Sequence, residues 1–322
     1  AVTQGKAFSQ LKQTQYTTTI GGVITPLKGW SIVGTFSYKR YHREKTFRSA
    51  NITYSDAYGE MKTATTGFFS DKLRENSAVE EHYTYDLYTT YEHSVNRHNF
   101  KVLAGMNHEA YRYKLIYGAK SSLQSDYLND LNLGTGVAEA SGGQSRWALL
   151  GFFGRGTYDY AGKYLAEVNF RWDGSSRFPK HDRWGFFPSV ALGWRISEEN
   201  FMEPVRKVID NVKLRASIGS LGNQAIADSY PYIQSLSPSL STSYLMNGNK
   251  IYITSLGAPQ SGDLTWETII TKNLGLDLGF FGNRLTATAD FYIRDTKDML
   301  IPGKELPGVY GMASPNMNAG DL

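Results

Sequence analysis

Residues 147–197 read WALLGFFGRGTYDYAGKYLAEVNFRWDGSSRFPKHDRWGFFPSVALGWRIS, and apolar and polar residues alternate through three consecutive segments of that run. Leu150, Phe152, Gly154, Gly156, Tyr158 and Tyr160 share one face, against Trp147, Leu149, Gly151, Phe153, Arg155, Thr157 and Asp159 on the other. After the short Ala161-Gly162 connection, Tyr164, Ala166, Val168, Phe170 and Trp172 alternate with Leu165, Glu167, Asn169, Arg171 and Asp173. A third alternation sets Phe186, Pro188, Val190, Leu192, Trp194 and Ile196 against Phe187, Ser189, Ala191, Gly193 and Arg195. The period is 2, so these are strands and not helices.

The length of each alternation decides what the apolar face meets. Strands of a soluble sandwich usually run about five or six residues. Ten residues at about 3.3 Å each, tilted by roughly 45°, cross a hydrocarbon layer. The opposite face carries Arg155, Glu167, Arg171 and Asp173, side chains suited to a wet lumen. The reading is therefore all-β: an antiparallel transmembrane β-barrel segment.

Composition agrees without deciding the matter. The chain has 322 residues, 41% of them hydrophobic, a mean hydropathy of -0.40, and no apolar run long enough for a transmembrane helix. Membrane strands leave such values unremarkable, because half of each strand is polar. Aromatic residues reach 14%, led by 22 Tyr, as expected where rings fill lipid-facing strands and interfacial girdles. The absence of Cys removes disulfides and thiolate metal sites. A net charge of +4, spread along the chain, makes no case for nucleic acid. The start, AVTQGKAFSQLKQ, carries no export signal, so the expectation is that one was removed or that the chain begins inside a longer protein.

About ten long strands follow from the same pattern. The first covers about 15–25, and a Pro26-Leu27-Lys28-Gly29 turn leads into the Trp30–Tyr38 alternation. Residues 83–91 and 100–106 form a pair around a tight Asn96-Arg97-His98 turn. Residues 212–219 and the hairpin 273–293 close the series. Between them lie polar connections at about 42–79, 117–144, 174–185 and 221–264, with a loop-like end at 299–322. The segment 198–211 breaks the alternation, and Phe201, Val205 and Val208 are spaced for one face of a short helix. Short and long connections alternate, as in outer-membrane barrels with brief periplasmic turns and longer external loops.

Four blocks resemble a known family. They are FRWDGSSRF at 170–178, WGFFPSVALGWRISEE at 184–199, VKLRASIGSLGN at 212–223 and NLGLDLGFFGNRLTATADFYIRDTKDML at 273–300. Together they are similar to the barrel of SusC/RagA-type TonB-dependent outer-membrane transporters; Trp172 and Ile218 depart from the family's usual residues without disturbing the alternation. The resemblance implies a barrel of about 22 strands around an N-terminal plug, importing a large nutrient such as an oligosaccharide or peptide. It further implies energy from an inner-membrane TonB complex and a SusD-like surface lipoprotein over the external mouth. No plug or TonB-binding segment is visible in this sequence, and an open ten-strand sheet would leave two unpaired edges in lipid. The whole of 1–322 is therefore expected to be a partial barrel domain.

No catalytic constellation stands out, and no cofactor is expected. The six His residues, at 42, 82, 93, 98, 108 and 181, lack metal-ligand spacing such as HExxH. No phosphate-loop spacing occurs, and Gly151, Gly154 and Gly156 read as strand bends or close packing. Asp173 with Asp182 evokes an acid pair, but the turn beside Gly174 accounts for the first. Arg171, Asp173, Arg177 and Arg195 are the candidate polar network of the inner wall, extended by Glu167, Lys213, Arg215, Asp290 and Arg294. An Arg turned toward lipid near the midplane would cost about 2 to 4 kcal/mol, which favours the inward direction. Tyr244, Tyr252 and Trp266 are the candidate loop contacts for substrate or partner, through ring stacking and hydrogen bonding. Two other readings stay open from the residues alone: an outer-membrane binding or adhesion barrel that transports nothing, and a soluble β-rich binding protein.

Overall fold

The computed structural model describes residues 7–64, 70–125, 127–206, 208–224, 229–257, 259, 264–312 and 314–322. In chain order the strands are β1 (Phe8–Leu27), β2 (Trp30–Ser49), β3 (Ile52–Ser55), β4 (Met61–Ala64), β5 (Lys72–Val95), β6 (His98–Ser121), β7 (Glu139–Tyr160) and β8 (Tyr164–Ser175). They continue with β9 (Trp184–Arg195), β10 (Ile209–Asn223), β11 (Leu236–Met246), β12 (Asn249–Leu256), β13 (Glu267–Phe280), β14 (Leu285–Lys297), β15 (Met299–Pro302) and β16 (Asn316–Gly320). Ten of them form one sheet in the order β1-β2-β5-β6-β7-β8-β9-β10-β13-β14. The remaining six pair as the hairpins β3-β4, β11-β12 and β15-β16. Main-sheet neighbours that are not sequence neighbours are separated only by such a hairpin, so the sheet is an antiparallel meander.

Register fixes the faces. Trp172 lies opposite both Phe152 and Phe186, Val168 opposite Val190, and Leu192 opposite Ala166. Across β9, β10, β13 and β14 the row continues as Trp194–Leu214–Leu276–Ala289 and Leu192–Ala216–Leu274–Phe291. Because side chains repeat every two residues, one register gathers these apolar positions on one face, while Phe153, Leu165 and Phe187 fall on the other. That face is bare: Val168, Leu192, Leu274 and Phe291 are 52%, 58%, 52% and 69% exposed. Among the described residues no second layer covers it, unlike the inner faces of a two-sheet sandwich. Rings bound the face at both ends, with Trp172 against Trp184 at 4.7 Å and Tyr160 against Tyr164 at 6.3 Å. From Trp194 to Trp184 the strand spans about ten residues, roughly 23 Å of depth at a 45° tilt, close to the apolar band of an outer-membrane wall.

Packing divides the chain into two units. The first comprises 1–20, 36–84 and 109–147; the second comprises 21–35, 85–108 and 148–322. The second unit holds the buried cluster Phe178, Phe187, Leu264 and Trp266, with Leu149, Tyr232 and Leu300 packed against it. The first unit holds the buried pair Arg48–Asp71, 2.6 Å apart, with Leu73 and Ala119 also buried.

Several sequence-based boundaries are corrected. The connection expected at 42–79 is far shorter, since β2 runs to Ser49, β5 starts at Lys72, and the β3-β4 hairpin lies between. The 117–144 loop shrinks likewise, because β6 reaches Ser121 and β7 begins at Glu139. β1 is 20 residues long instead of about 11, and its turn narrows to Lys28-Gly29. The expected helix at 198–211 is a pair of 3₁₀ segments, Ile196–Glu198 and Asn200–Val205, with Pro204 inside the second. Phe201, Val205 and Val208 remain 65%, 41% and 48% exposed, so no apolar face is buried there to stabilise a longer helix. The described parts of 221–264 and 299–322 hold the β11-β12 and β15-β16 hairpins, while 225–228, 258, 260–263 and 313 lie outside the described residues.

Candidate functional site

The polar face of the second unit carries charge in three patches. In the first, Arg155 donates from Nε to Asn169 at 2.7 Å and stands 3.8 Å from Glu167, which also accepts from Asn169 at 2.7 Å. In the second, Arg171 forms a two-pronged bond to Asp173 on its own strand, at 2.7 and 3.0 Å, with its guanidinium 5.5 Å from the Phe153 ring. In the third, Arg215 bonds bidentately to Asp277 at 2.8 and 2.9 Å and reaches Asp290 at 3.2 Å.

Two of these patches use the same device. Gly151 lies opposite Asp173 and Gly275 lies opposite Asp290. A Cβ at Gly275 would stand 2.6 Å from Asp290 Oδ1 and 2.7 Å from the Arg215 guanidinium carbon, and one at Gly151 would collide with Asp173 Oδ1. Each ion pair therefore folds flat over a neighbouring strand that has given up its side chain. The charges are partly solvated, with Arg215, Asp277 and Asp290 side chains 33%, 25% and 37% exposed. Two troughs open on this sheet: one of about 690 Å³ touched by Phe153, Arg155, Glu167, Arg171 and Ser189, and one of about 580 Å³ touched by Lys101, Asp159, Lys213 and Arg215.

Of the other residues singled out from sequence, Lys213 adjoins the third patch. Lys213 stands opposite both Arg195 and Asp277 in register, while Arg195 sits at the end of β9 beside the 161–163 turn, where its backbone N–H donates to Lys163 at 2.8 Å. Arg294 lies 5.9 Å from the Tyr292 ring, opposite Thr271. Arg177 belongs to the β8–β9 loop, and burial pulls its guanidinium below its ordinary value. Tyr244 and Tyr252, on the β11-β12 hairpin, are 67% and 78% exposed. Trp266 is 6% exposed, lies against Phe178 at 5.3 Å and Phe187 at 5.4 Å, and donates its indole N–H to the Arg183 carbonyl at 2.9 Å.

Asp277 was not singled out from sequence, although it is the main acceptor for Arg215; only the β10-β13 register brings Lys213 opposite it and Arg215 alongside. A second feature absent from the sequence reading belongs to the first unit. Tyr41, His82, Tyr111 and Trp147 form a ring ladder across four strands, with centroid steps of 6.5, 4.7 and 5.6 Å. At the turn end of the second unit, Glu199 accepts from Tyr164 at 2.7 Å, Trp194 at 3.1 Å and Lys163 at 3.2 Å. These donors, Tyr164 first, hold its carboxyl below the usual carboxylate range. Among the described residues no group of three or more His, Cys, Asp or Glu is arranged to hold a metal ion.

Comparison with known proteins places this wall. The family described as "TonB dependent receptor-like, beta-barrel" matches residues 3–321. The chain is 34% identical over 242 residues to TonB-dependent receptor SusC of Bacteroides thetaiotaomicron, covering 74% of this chain and 23% of that protein. TonB-dependent receptor P3 of Formosa agariphila is 32% identical over 237 residues, covering 73% and 23%. Among solved structures, the RagAB peptide transporter superposes with a TM-score of 0.82 at 23% identity, over 97% of this chain and 33% of that one. The outer membrane transporter YddB from Escherichia coli gives 0.60 at 11% identity, over 98% and 38%. The chain thus spans about a quarter of the relatives' length and a third of RagAB's. It belongs to the TonB-dependent receptors of the outer membrane, in their SusC/RagA family.

Proposed function

We propose that this chain is part of the wall of a closed barrel of about 22 strands, through which a large nutrient, an oligosaccharide or a peptide, is imported without covalent change. The single observation that carries the reading is the one-register separation of faces: an uncovered apolar face bounded by rings, backed by a face of solvated ion pairs. On this reading the apolar face meets acyl chains and the Arg155, Arg171 and Arg215 patches line the aqueous interior, against plug or cargo. Both open edges, β1 and β14, pair with the rest of the barrel, because unpaired backbone groups in lipid cost several kcal/mol each. Transport is driven by an inner-membrane TonB complex that pulls on an N-terminal plug.

The β11-β12 hairpin is the proposed meeting point with a SusD-like surface lipoprotein or with cargo. Its exposed Tyr244 and Tyr252 are placed to stack, whereas buried Trp266 anchors the loop base. Deleting 236–256 from the full-length protein is expected to weaken co-purification with the lipoprotein and lower uptake. Unchanged complex formation and uptake would remove the hairpin from the mechanism. Uptake assays with labelled oligosaccharides and peptides, in cells with and without the intact protein, decide the cargo class. Accumulation of neither would favour a barrel that binds without transporting.

A further inference from the structure

The outward series of the first unit ends in positive charge just past an aromatic boundary. In β5 the acyl-facing parity runs Tyr83, Tyr85, Leu87, and in β6 it runs Met106, His108, Ala110 and then Arg112 and Lys114. Tyr83 packs on Tyr38 at 5.0 Å, and the Arg112 guanidinium sits 5.8 Å from the Tyr83 ring. Arg40 is the next residue on the Tyr38 side of β2. On the opposite face Tyr111 stacks on Trp147 at 5.6 Å, which sets Arg112 across from Arg146. Arg40, Arg112, Lys114 and Arg146 are all exposed.

Glu81, the next residue on the Tyr83 side of β5, puts one carboxylate in the same row as Arg40 and Arg112, where the cations outnumber it. The Tyr38 hydroxyl donates to Glu81 at 2.9 Å, and Glu44, farther along, stands 3.9 Å from Lys12 and 3.8 Å from His42. Arg146 reaches only the amide oxygen of Gln144, at 3.4 Å. Among the described residues none of the four cations has an ion-pair partner. Tyrosines settle at headgroup level, so the next row outward meets the headgroups themselves, where guanidinium forks match phosphate oxygens.

We propose that Arg40, Arg112, Lys114 and Arg146 form a docking site for the phosphate-bearing headgroup of a lipid in the surface leaflet. The occupant is a lipid and not free phosphate because the cations continue the same face, one residue pair beyond the tyrosines, that presents apolar side chains to acyl chains. The site rests on the outward direction of that face and is independent of what the protein transports.

The test is native mass spectrometry of the full-length protein released from detergent micelles with monophosphorylated lipid A or its dephosphorylated form. The phosphorylated lipid is expected to remain bound and the dephosphorylated form to be lost. R40Q/R112Q/K114Q/R146Q should reduce retention about fivefold or more, as expected for removal of several surface cations. Raising the salt to about 0.5 M should weaken retention by the unaltered protein, a readout that does not depend on the variant folding. Equal retention of both lipids, retention unaffected by salt, or a folded variant that binds normally would overturn the site. Displacement by millimolar inorganic phosphate would overturn the assignment to a lipid.

Discussion

The alternating wall built by β8, β9, β10, β13 and β14 differs from the first unit in what holds neighbouring strands together. In the wall, strands run 12 to 15 residues and apolar side chains that alternate along them, such as Val168, Leu192, Leu274 and Phe291, are uncovered. Apart from the β3-β4 hairpin, the first unit takes its strand segments from elements of 20 to 24 residues, and both of their faces carry charge and rings. A strand of 24 residues tilted by roughly 45° climbs about 56 Å, so it leaves a band of about 25 Å well before its end. On the proposed reading the strand ends beyond the band meet water on both sides, and period 2 loses its reason to exist. Pairs such as Arg43–Glu80 and Lys72–Glu139, together with the Tyr41–His82–Tyr111–Trp147 ladder, hold the strands there instead.

The difference is broken or sharpened by matched substitutions in the full-length protein, followed by urea unfolding in lipid vesicles. Leu192→Arg should destabilise by about 2 to 4 kcal/mol, the cost of Arg in the apolar band. Ile116→Arg, on the corresponding face of the first unit and already 56% exposed, should stay within about 0.5 kcal/mol. Equal costs would erase the distinction. Next in size is Arg215→Leu, which takes the guanidinium from both Asp277 and Asp290 and should cost about 1 to 2 kcal/mol after allowance for solvent screening. Arg43→Leu breaks a more exposed pair and should cost under about 1 kcal/mol.

The smallest effect is pH-dependent and marks the turn end of the wall. The Glu199 carboxyl is held below its usual range by Tyr164, Trp194 and Lys163. Its contribution is therefore present above the ordinary carboxylate value, about 4.3, and is lost as pH falls through the lower folded value. Glu199→Gln should be less stable than the unaltered protein at neutral pH, with the gap closing in acid. A gap that is constant with pH would mean that the carboxylate charge plays no part.

The sequence made the alternating sheet legible because, on the proposed reading, lipid on one side and water on the other impose opposite chemistry at every step. Arg171 and Asp173, two residues apart on one face, were readable as part of a larger polar group with Arg177 and Arg195. Asp277 was not readable as the partner of Arg215, because 62 residues separate them and only register joins them. The extensions of β2 and β5 were invisible where Arg43, Glu44, Lys45 and Arg48, or Lys72, Arg74 and Glu75, put charge on both faces. The β11-β12 hairpin did leave a signal that went unused. Asn247-Gly248, with φ of 50° and 77°, is the turn that two-residue hairpins favour.

The most direct measurement exploits the lack of Cys in this chain. Single cysteines at Val168, Phe170 and Leu192, and at Glu167, Asn169 and Ala191, are placed in the reconstituted full-length protein and probed from both phases. The account predicts strict alternation: the first three are quenched by a lipid-phase probe and shielded from a water-soluble maleimide, and the second three behave oppositely. Equal reactivity on both faces, or protection of Val168, Phe170 and Leu192 from both phases, would mean that these side chains do not face lipid.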